Sequence, residues 1–142
     1  MDNAPRQKHF PTGWYRYYSH CVALVVLTLT LMWVGEQAFS GWTGPAASLS
    51  NDLYIPSAML AAGRGFHNAP AHDSSEFSDF LQFRQPALRA ESLKSLPALP
   101  LDVYQAYHPY LLWTVGAWWR FQGISWDAFK RLSLGFLVLT AW

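Results

Sequence analysis

Long uncharged stretches alternate with polar segments along this chain, and the uncharged stretches form three blocks. The first block, 17–35, carries no formal charge over nineteen residues. As a helix it spans about 28 Å, close to the roughly 30 Å hydrocarbon core of a bilayer. Its many β-branched residues favour a strand in water, but an isolated strand cannot satisfy its backbone in lipid. We therefore predict an uncleaved transmembrane helix over 17–35 rather than a signal peptide, whose apolar core is shorter and is followed by a small-residue cleavage site.

The other two blocks predict further membrane helices. The second block, 103–119, has seventeen residues, and His108 is the only side chain in it that can carry a positive charge. Asp102 is a candidate N-cap, and Pro109 lies near the start, where a helix tolerates proline. The third block, 132–142, has eleven residues, about 16 Å as a helix, which is too short to cross. We predict a second transmembrane helix over 103–119 and the start of a truncated third over 132–142, as in a fragment.

Lysine and arginine near the blocks predict the orientation, because cytoplasmic flanks are enriched in both. Basic residues precede the first block and lie between the second and third, namely Arg6, Lys8, Arg16, Arg120, Lys130 and Arg131. The segment between the first two blocks has four basic and seven acidic residues, a net charge of −3 with histidine neutral. We predict a cytoplasmic segment over 1–16, an external or periplasmic loop over 36–102 and a cytoplasmic turn over 120–131, in a bacterial inner (plasma) membrane.

Composition agrees with a membrane protein and excludes other classes. Of the 142 residues, 51% are apolar, 17% aromatic and only 13% charged, which excludes an intrinsically disordered chain. A single cysteine, Cys21, excludes a disulfide scaffold. The net charge of +1 gives no broad basic surface for nucleic acid. The predicted fold class is an all-α membrane protein with two transmembrane helices, a partial third, and a long external loop that carries short interfacial helices.

The external loop has 67 residues, far more than a helix connection needs, so we expect it to have structure or a role of its own. A short helix is predicted from Asp52 to Gly63, lying at the bilayer surface with Leu53 and Leu60 buried. A second amphipathic segment is predicted where apolar residues recur at near-helical spacing, at Phe77, Phe80, Leu81 and Phe83.

Two residues on the external side are candidates for chemistry. Asp52 is a candidate general base, and the alternative is an N-cap whose carboxylate satisfies free N–H groups of the helix. His108 opens the second block from the same side and is a weaker catalytic candidate, the alternative being a hydrogen-bonded interfacial residue. His67, His72 and Asp73 lack the spacing of a preformed zinc site. Nucleotide-binding loops and hydrolase elbows have no matching sequence.

The order of these features resembles a known family. The stretches concerned are NDLYIPSAMLAAGRGF (51–66), YHPYLLWTVGAWWRFQGIS (107–125) and WDAFKRLSLGFLVL (126–139). They are similar to the N-terminal part of the GT-C class membrane glycosyltransferases, including the protein-mannosyltransferase-like and aminoarabinose-transferase-like branches. Asp52 matches the acidic motif of that class, and His108-Pro109 matches its His-Pro or Pro-Pro element. The sequence departs from the pattern in having one carboxylate where many relatives have two, and Tyr110 in place of a second proline.

The resemblance implies transfer of a sugar from a polyprenyl-phosphate donor to an acceptor at the external membrane face. In that reaction Asp52 is the base or a metal-positioning acid, and His108 orients the donor phosphate. The resemblance allows a divalent metal ion as cofactor. It implies membrane lipid and the polyprenyl-phosphate sugar donor as partners. Two and a half helices are too few for a complete transferase. Two other hypotheses stay open: a small non-catalytic subunit that packs in a larger membrane complex, and a membrane anchor whose loop recruits a soluble partner.

Overall fold

The computed structural model describes residues 12–42 and 51–140, which are mostly helical. The six α-helices are α1 (Thr12–Ala38), α2 (Ile55–Ala61), α3 (Ser75–Leu81), α4 (Val103–Tyr107), α5 (Pro109–Gln122) and α6 (Trp126–Thr140). Short 3₁₀ turns cover Asp52–Tyr54, Ala71–Asp73 and Ala90–Leu93. Strands β1 (Ala87–Leu88) and β2 (Ile124–Ser125) pair antiparallel, with Ala87 opposite Ser125. Arg6 and Lys8 of the predicted cytoplasmic segment, and the last two residues of the third block, lie outside the described residues.

Helix α1 contains the first apolar block. Its segment Tyr17–Ala38 has 22 residues, about 33 Å, and within the described residues it is the one helix long and apolar enough to cross a membrane. Only 6% of its most apolar window is buried against the rest of the chain. A core helix of a soluble domain buries its apolar side chains, so α1 is the candidate membrane-spanning helix of this protein. The helix predicted for the first block is confirmed, and it extends three residues further, to Ala38.

Helices α2 and α5 pack at backbone distance. The buried Ser57 hydroxyl donates to the Leu112 carbonyl over 2.7 Å. Opposite it, Gly116 has no side chain, and a Cβ there would lie 2.9 Å from the Ser57 carbonyl oxygen. Leu60 of α2 also lies against Gly116, so the absence of a side chain at Gly116 lets the two helices approach closely.

Aromatic rings fill the core beside this helix pair. Trp126 stacks on Phe80 at a centroid distance of 4.9 Å and meets the edges of Trp119 and Tyr54 at 5.6 Å and 5.7 Å. Its indole N–H donates to the Phe80 carbonyl over 2.9 Å, which satisfies the one polar atom that this burial removes from water. The cluster joins α3, α5 and the start of α6 into one core.

The two segments predicted to be helical within 36–102 are helices in the structure. The 3₁₀ turn at Asp52 continues into α2, and Gly63 follows it with φ of +76°, a conformation that suits glycine. Helix α3 buries Phe77 and Phe80 as its apolar spacing predicts. The buried residues of α2 are those facing α5 and the core, Ile55, Pro56, Ser57, Ala58 and Met59, whereas Leu53 and Leu60 are only half-buried.

The second apolar block does not form a span in the described structure. It divides at His108 into α4 and α5, and α5 has 14 residues, about 21 Å, too few to cross. Leu112, Val115 and Trp119 of α5 are fully or almost fully buried. The apolar face that the sequence assigned to lipid packs instead on α2 and the aromatic core.

Helices α1 and α6 pack antiparallel. The Lys130 ammonium lies 3.0 Å from the Glu36 carboxylate, and a Cβ on Gly35 would overlap Leu134. Trp42, beyond the end of α1, stacks on Phe129 near the start of α6 at 5.9 Å. Residues later in α1 thus meet residues earlier in α6.

The Lys130–Glu36 ion pair of 3.0 Å brings residue 130 next to residue 36. The sequence prediction had placed these two residues on opposite sides of a bilayer about 30 Å thick.

Candidate functional site

The carboxylate of Asp52 is exposed and free of internal partners. Asp52 begins the 3₁₀ turn that leads into α2, and Asn51 occupies the N-cap position without a capping side-chain bond. Within the described residues, the Asp52 carboxylate accepts no hydrogen bond and makes no ion pair. The alternative that Asp52 is an N-cap is therefore wrong. Its position in the first helical turn still suits an anion, because free N–H groups point towards that end.

A cleft of about 420 Å³ opens beside Asp52. Five polar side chains line it, namely Asp52, Asn68, His72, Ser78 and Asp102, together with Ile55, Ala69, Pro70, Ala71 and Leu99. The fold thus places two carboxylates on one cleft although fifty residues separate them in sequence. Among the described residues that line this cleft there is no lysine or arginine, so its charge is acidic.

Asp102 is held in place by a capping box. Its carboxylate accepts the Gln105 backbone N–H over 2.7 Å, and the Gln105 side chain accepts the Asp102 N–H over 3.0 Å. The predicted N-cap role of Asp102 is confirmed. Because one carboxylate oxygen is occupied by the helix, Asp102 is less free than Asp52 to take a proton from a ligand.

Gln105 connects the parts of the cleft. Its side chain is fully buried, and its amide NH₂ donates to the Asp52 carbonyl over 2.9 Å and to the Asn68 side chain over 3.2 Å. Asn68 is fixed in turn by a two-way backbone pairing with Leu99, at 2.9 Å and 2.7 Å. Sequence reasoning missed Gln105 and Asn68, because their bonds join segments that no local pattern relates. The capping-box spacing from Asp102 to Gln105 was the one available signal.

His108 is not among the residues that line the cleft. Its backbone N–H donates to the Gln105 carbonyl over 3.2 Å. Its exposed imidazole lies with Nδ1 2.9 Å from the Tyr104 carbonyl oxygen, as the hydrogen-bonded alternative describes.

Metal-capable side chains do not gather in the described residues. No group of three or more histidine, cysteine, aspartate or glutamate residues that could hold a metal ion is present there. His72, at the edge of the cleft, pairs with the neighbouring Asp73 at 3.2 Å, and both are exposed. The cleft itself offers two carboxylates, an amide and an imidazole.

One titratable group near the site has a shifted pKa. Burial raises the pKa of the Tyr54 phenol above its ordinary value of 10.0, since the charged form loses water among the aromatic rings. Tyr54 therefore stays neutral over the physiological range and packs as a core aromatic residue, between Trp126 and Phe129 at ring distances of 5.7 Å and 5.2 Å.

Fold and site together define a mostly helical protein with one candidate membrane-spanning helix and a helical unit that bears an acidic cleft. Comparison with protein-family models, with curated proteins and with solved structures gave no match.

Proposed function

We propose that this chain is the N-terminal part of an integral-membrane glycosyltransferase that moves a sugar from a polyprenyl-phosphate donor to an acceptor at the external membrane face. The single observation that carries the proposal is the exposed Asp52 carboxylate, which lines a cleft and has no partner among residues 12–42 and 51–140. The sequence resemblance supplies the reaction class, because Asp52 matches the acidic motif of the GT-C enzymes.

Asp52 has the properties that a general base needs in this reaction. The acceptor hydroxyl must lose its proton as its oxygen attacks the anomeric carbon, and a nearby carboxylate takes that proton. An internal hydrogen bond or ion pair would lower the basicity of the carboxylate and occupy its lone pairs. Asp52 has neither within the described residues, whereas one carboxylate oxygen of Asp102 accepts the Gln105 backbone N–H at the start of α4.

The departing polyprenyl phosphate gains negative charge, which cationic groups must stabilise. No basic side chain lines the cleft in the described residues. Of the basic residues over 51–140, Arg64 is engaged by the Leu96 carbonyl, and Arg84, Lys94, Lys130 and Arg131 are engaged by carboxylates. Arg89 and Arg120 are exposed and have no ion pair within the described residues, so they are the freest to meet a lipid phosphate.

The orientation that suits this function has the N-terminus in the cytoplasm, Tyr17–Ala38 across a bacterial inner membrane and the helical unit outside. The basic flank before α1 supports this orientation through its lysine and arginine residues. The acidic excess over 36–102 agrees with it.

The test is the variant Asp52→Asn, measured in membranes containing the complete protein and a polyprenyl-phosphate sugar donor. Asn keeps the shape of the side chain and removes the negative charge that accepts the proton. We therefore expect sugar transfer to fall by about 10²-fold or more, with normal membrane insertion. The matched control is Glu91→Gln, which neutralises an exposed carboxylate outside the cleft and should leave transfer unchanged. Transfer by Asp52→Asn at the rate of the control would reject the base assignment and direct attention to Glu36.

A second candidate function is a non-catalytic membrane subunit, favoured by the almost complete exposure of α1 within its own chain. Such a helix can pack against other membrane helices as well as against lipid. This function predicts that the chain purifies in fixed stoichiometry with another membrane protein and that Asp52→Asn changes nothing in the assembly.

A further inference from the structure

The outer side of α4 and α5 carries an exposed row of aromatic rings. We call this row the aromatic face; it consists of Tyr104, Tyr107, Tyr110, Trp113 and Phe121, which are between 58% and 88% exposed. At 100° per residue, the three members on α5 fall within an arc of about 80° opposite the buried side of the helix. Helix α5 is therefore apolar on two opposite sides, one facing the core and one facing outwards.

The C-terminal end of α5 lies against α1 and α6. Trp118 and Gln122 share a groove of about 570 Å³ with Met32, Glu36 and apolar residues of α6. Met32 lies six residues before Ala38, about 9 Å from the end of the candidate span. The end of α5 is thus at the depth where the span leaves the hydrocarbon core.

We propose that the aromatic face is embedded in the interfacial layer of the membrane that α1 crosses, with α5 lying along the surface. Monomeric soluble proteins rarely expose a contiguous apolar patch of this kind, and α5 is too short to span. Tyrosine and tryptophan are the residues that favour the lipid headgroup level, because one end of each ring is apolar and the other polar. The exposed Arg120 beside Phe121 adds a cation for lipid phosphates.

We expect lipid to cover the aromatic face, because this face adjoins the exposed apolar surface of α1. Phe121 of the aromatic face lies 6.4 Å from Trp118, and Trp118 shares a groove with Met32 of α1, so one bilayer can cover both surfaces. Since the Asp52 carbonyl is bonded to Gln105 of α4, and Tyr104 and Tyr107 of α4 belong to the aromatic face, the acidic cleft is held close to the same surface. This placement does not depend on Asp52 being catalytic.

The experiment uses single-cysteine variants Tyr110→Cys and Phe121→Cys of the whole chain in a Cys21→Ala background, labelled with the fluorophore NBD. Both side chains are more than 80% exposed, so their replacement removes little packing. The control is Glu91→Cys, whose carboxylate side chain is 73% exposed and lies off the aromatic face. Each protein is reconstituted into vesicles of phosphatidylcholine and phosphatidylglycerol.

We expect labels at Tyr110 and Phe121 to emit at shorter wavelength than the control and to be quenched severalfold more by lipids that carry a nitroxide near the headgroup than by aqueous iodide. The label at Glu91 should show the reverse order. Iodide quenching at Tyr110 and Phe121 equal to that at Glu91 would overturn the proposal, because the face would then be in water. Protection from both quenchers would also overturn it, since a protein or a second copy would then cover the face.

Discussion

Gly116 controls how closely α2 and α5 approach, so Gly116→Ala is a sensitive test of the described packing. The new methyl group would lie 2.9 Å from the Ser57 carbonyl oxygen, 2.9 Å from Leu60 Cδ2 and 3.1 Å from Leu60 Cβ. The Leu60 methyl can rotate away. The carbonyl oxygen belongs to the α2 backbone, which the Ser57–Leu112 hydrogen bond holds against α5, so the two helices must move apart.

The magnitude follows from two opposing terms. Alanine favours a helix over glycine by about 1 kcal/mol, and overpacking a close contact costs about 1–3 kcal/mol. Gly135→Ala is the matched control, because Gly135 is also inside a helix and a Cβ there meets nothing within 4 Å. The propensity term is common to both variants, so Gly116→Ala should be less stable than Gly135→Ala by about 1–3 kcal/mol, the overpacking term.

The assay is thermal unfolding of the detergent-solubilised chain, followed by tryptophan fluorescence, since Trp119 and Trp126 lie in the adjoining core. For a unit of this size, 1 kcal/mol corresponds to about 4–8 °C in Tm. We therefore expect Gly116→Ala to unfold at least about 4 °C below Gly135→Ala. Equal Tm values, or a higher value for Gly116→Ala, would refute the close packing of α2 and α5.

Three further predictions concern the core and the cleft. Gln105→Leu should lower the free energy of unfolding by about 2 kcal/mol or more, because the Asp52 carbonyl and two other buried polar groups lose their partner; denaturant titration measures this. Trp126→Phe should cost about 1–3 kcal/mol in the same titration, since the bond to the Phe80 carbonyl is lost, and no loss would contradict the aromatic core. The pKa of the Tyr54 phenol is raised in the folded protein, so its contribution to stability is complete below pH 10 and is lost as the pH rises through the pKa of the folded state. Tyr54→Phe should therefore make the free energy of unfolding less sensitive to alkaline pH. An unchanged pH profile of stability would contradict this prediction.

Local patterns in the sequence were sufficient for several elements. The uncharged first block predicted α1, Gly63 marked the end of the helix after Asp52, and apolar spacing predicted α3. Asp102 was predicted as an N-cap from its position before an apolar run. Each of these features depends on residues within a few turns of one another, which is the range that periodicity and capping describe.

The second apolar block shows where such reasoning fails. Helix α5 is apolar on two sides, and periodicity cannot distinguish a side that faces lipid from one that faces another helix. The contact that decides the matter is with α2, whose Ser57 lies 55 residues before Leu112. The cleft was missed for the same reason, since the bonds of Gln105 to Asp52 and Asn68 span 53 and 37 residues.

The most direct test of this account is whether Asp73 and Asp127 lie on the same side of the membrane. Both are exposed, and the packing of Lys130 on Glu36 places the start of α6 beside the end of α1. Asp73→Cys and Asp127→Cys, each in the Cys21→Ala background, would be treated with a membrane-impermeant maleimide in intact bacterial spheroplasts. The account predicts that both cysteines are labelled from outside to the same extent. Labelling of Asp73→Cys alone, with Asp127→Cys reacting only after the membrane is opened, would show that the chain crosses between them and would contradict the account.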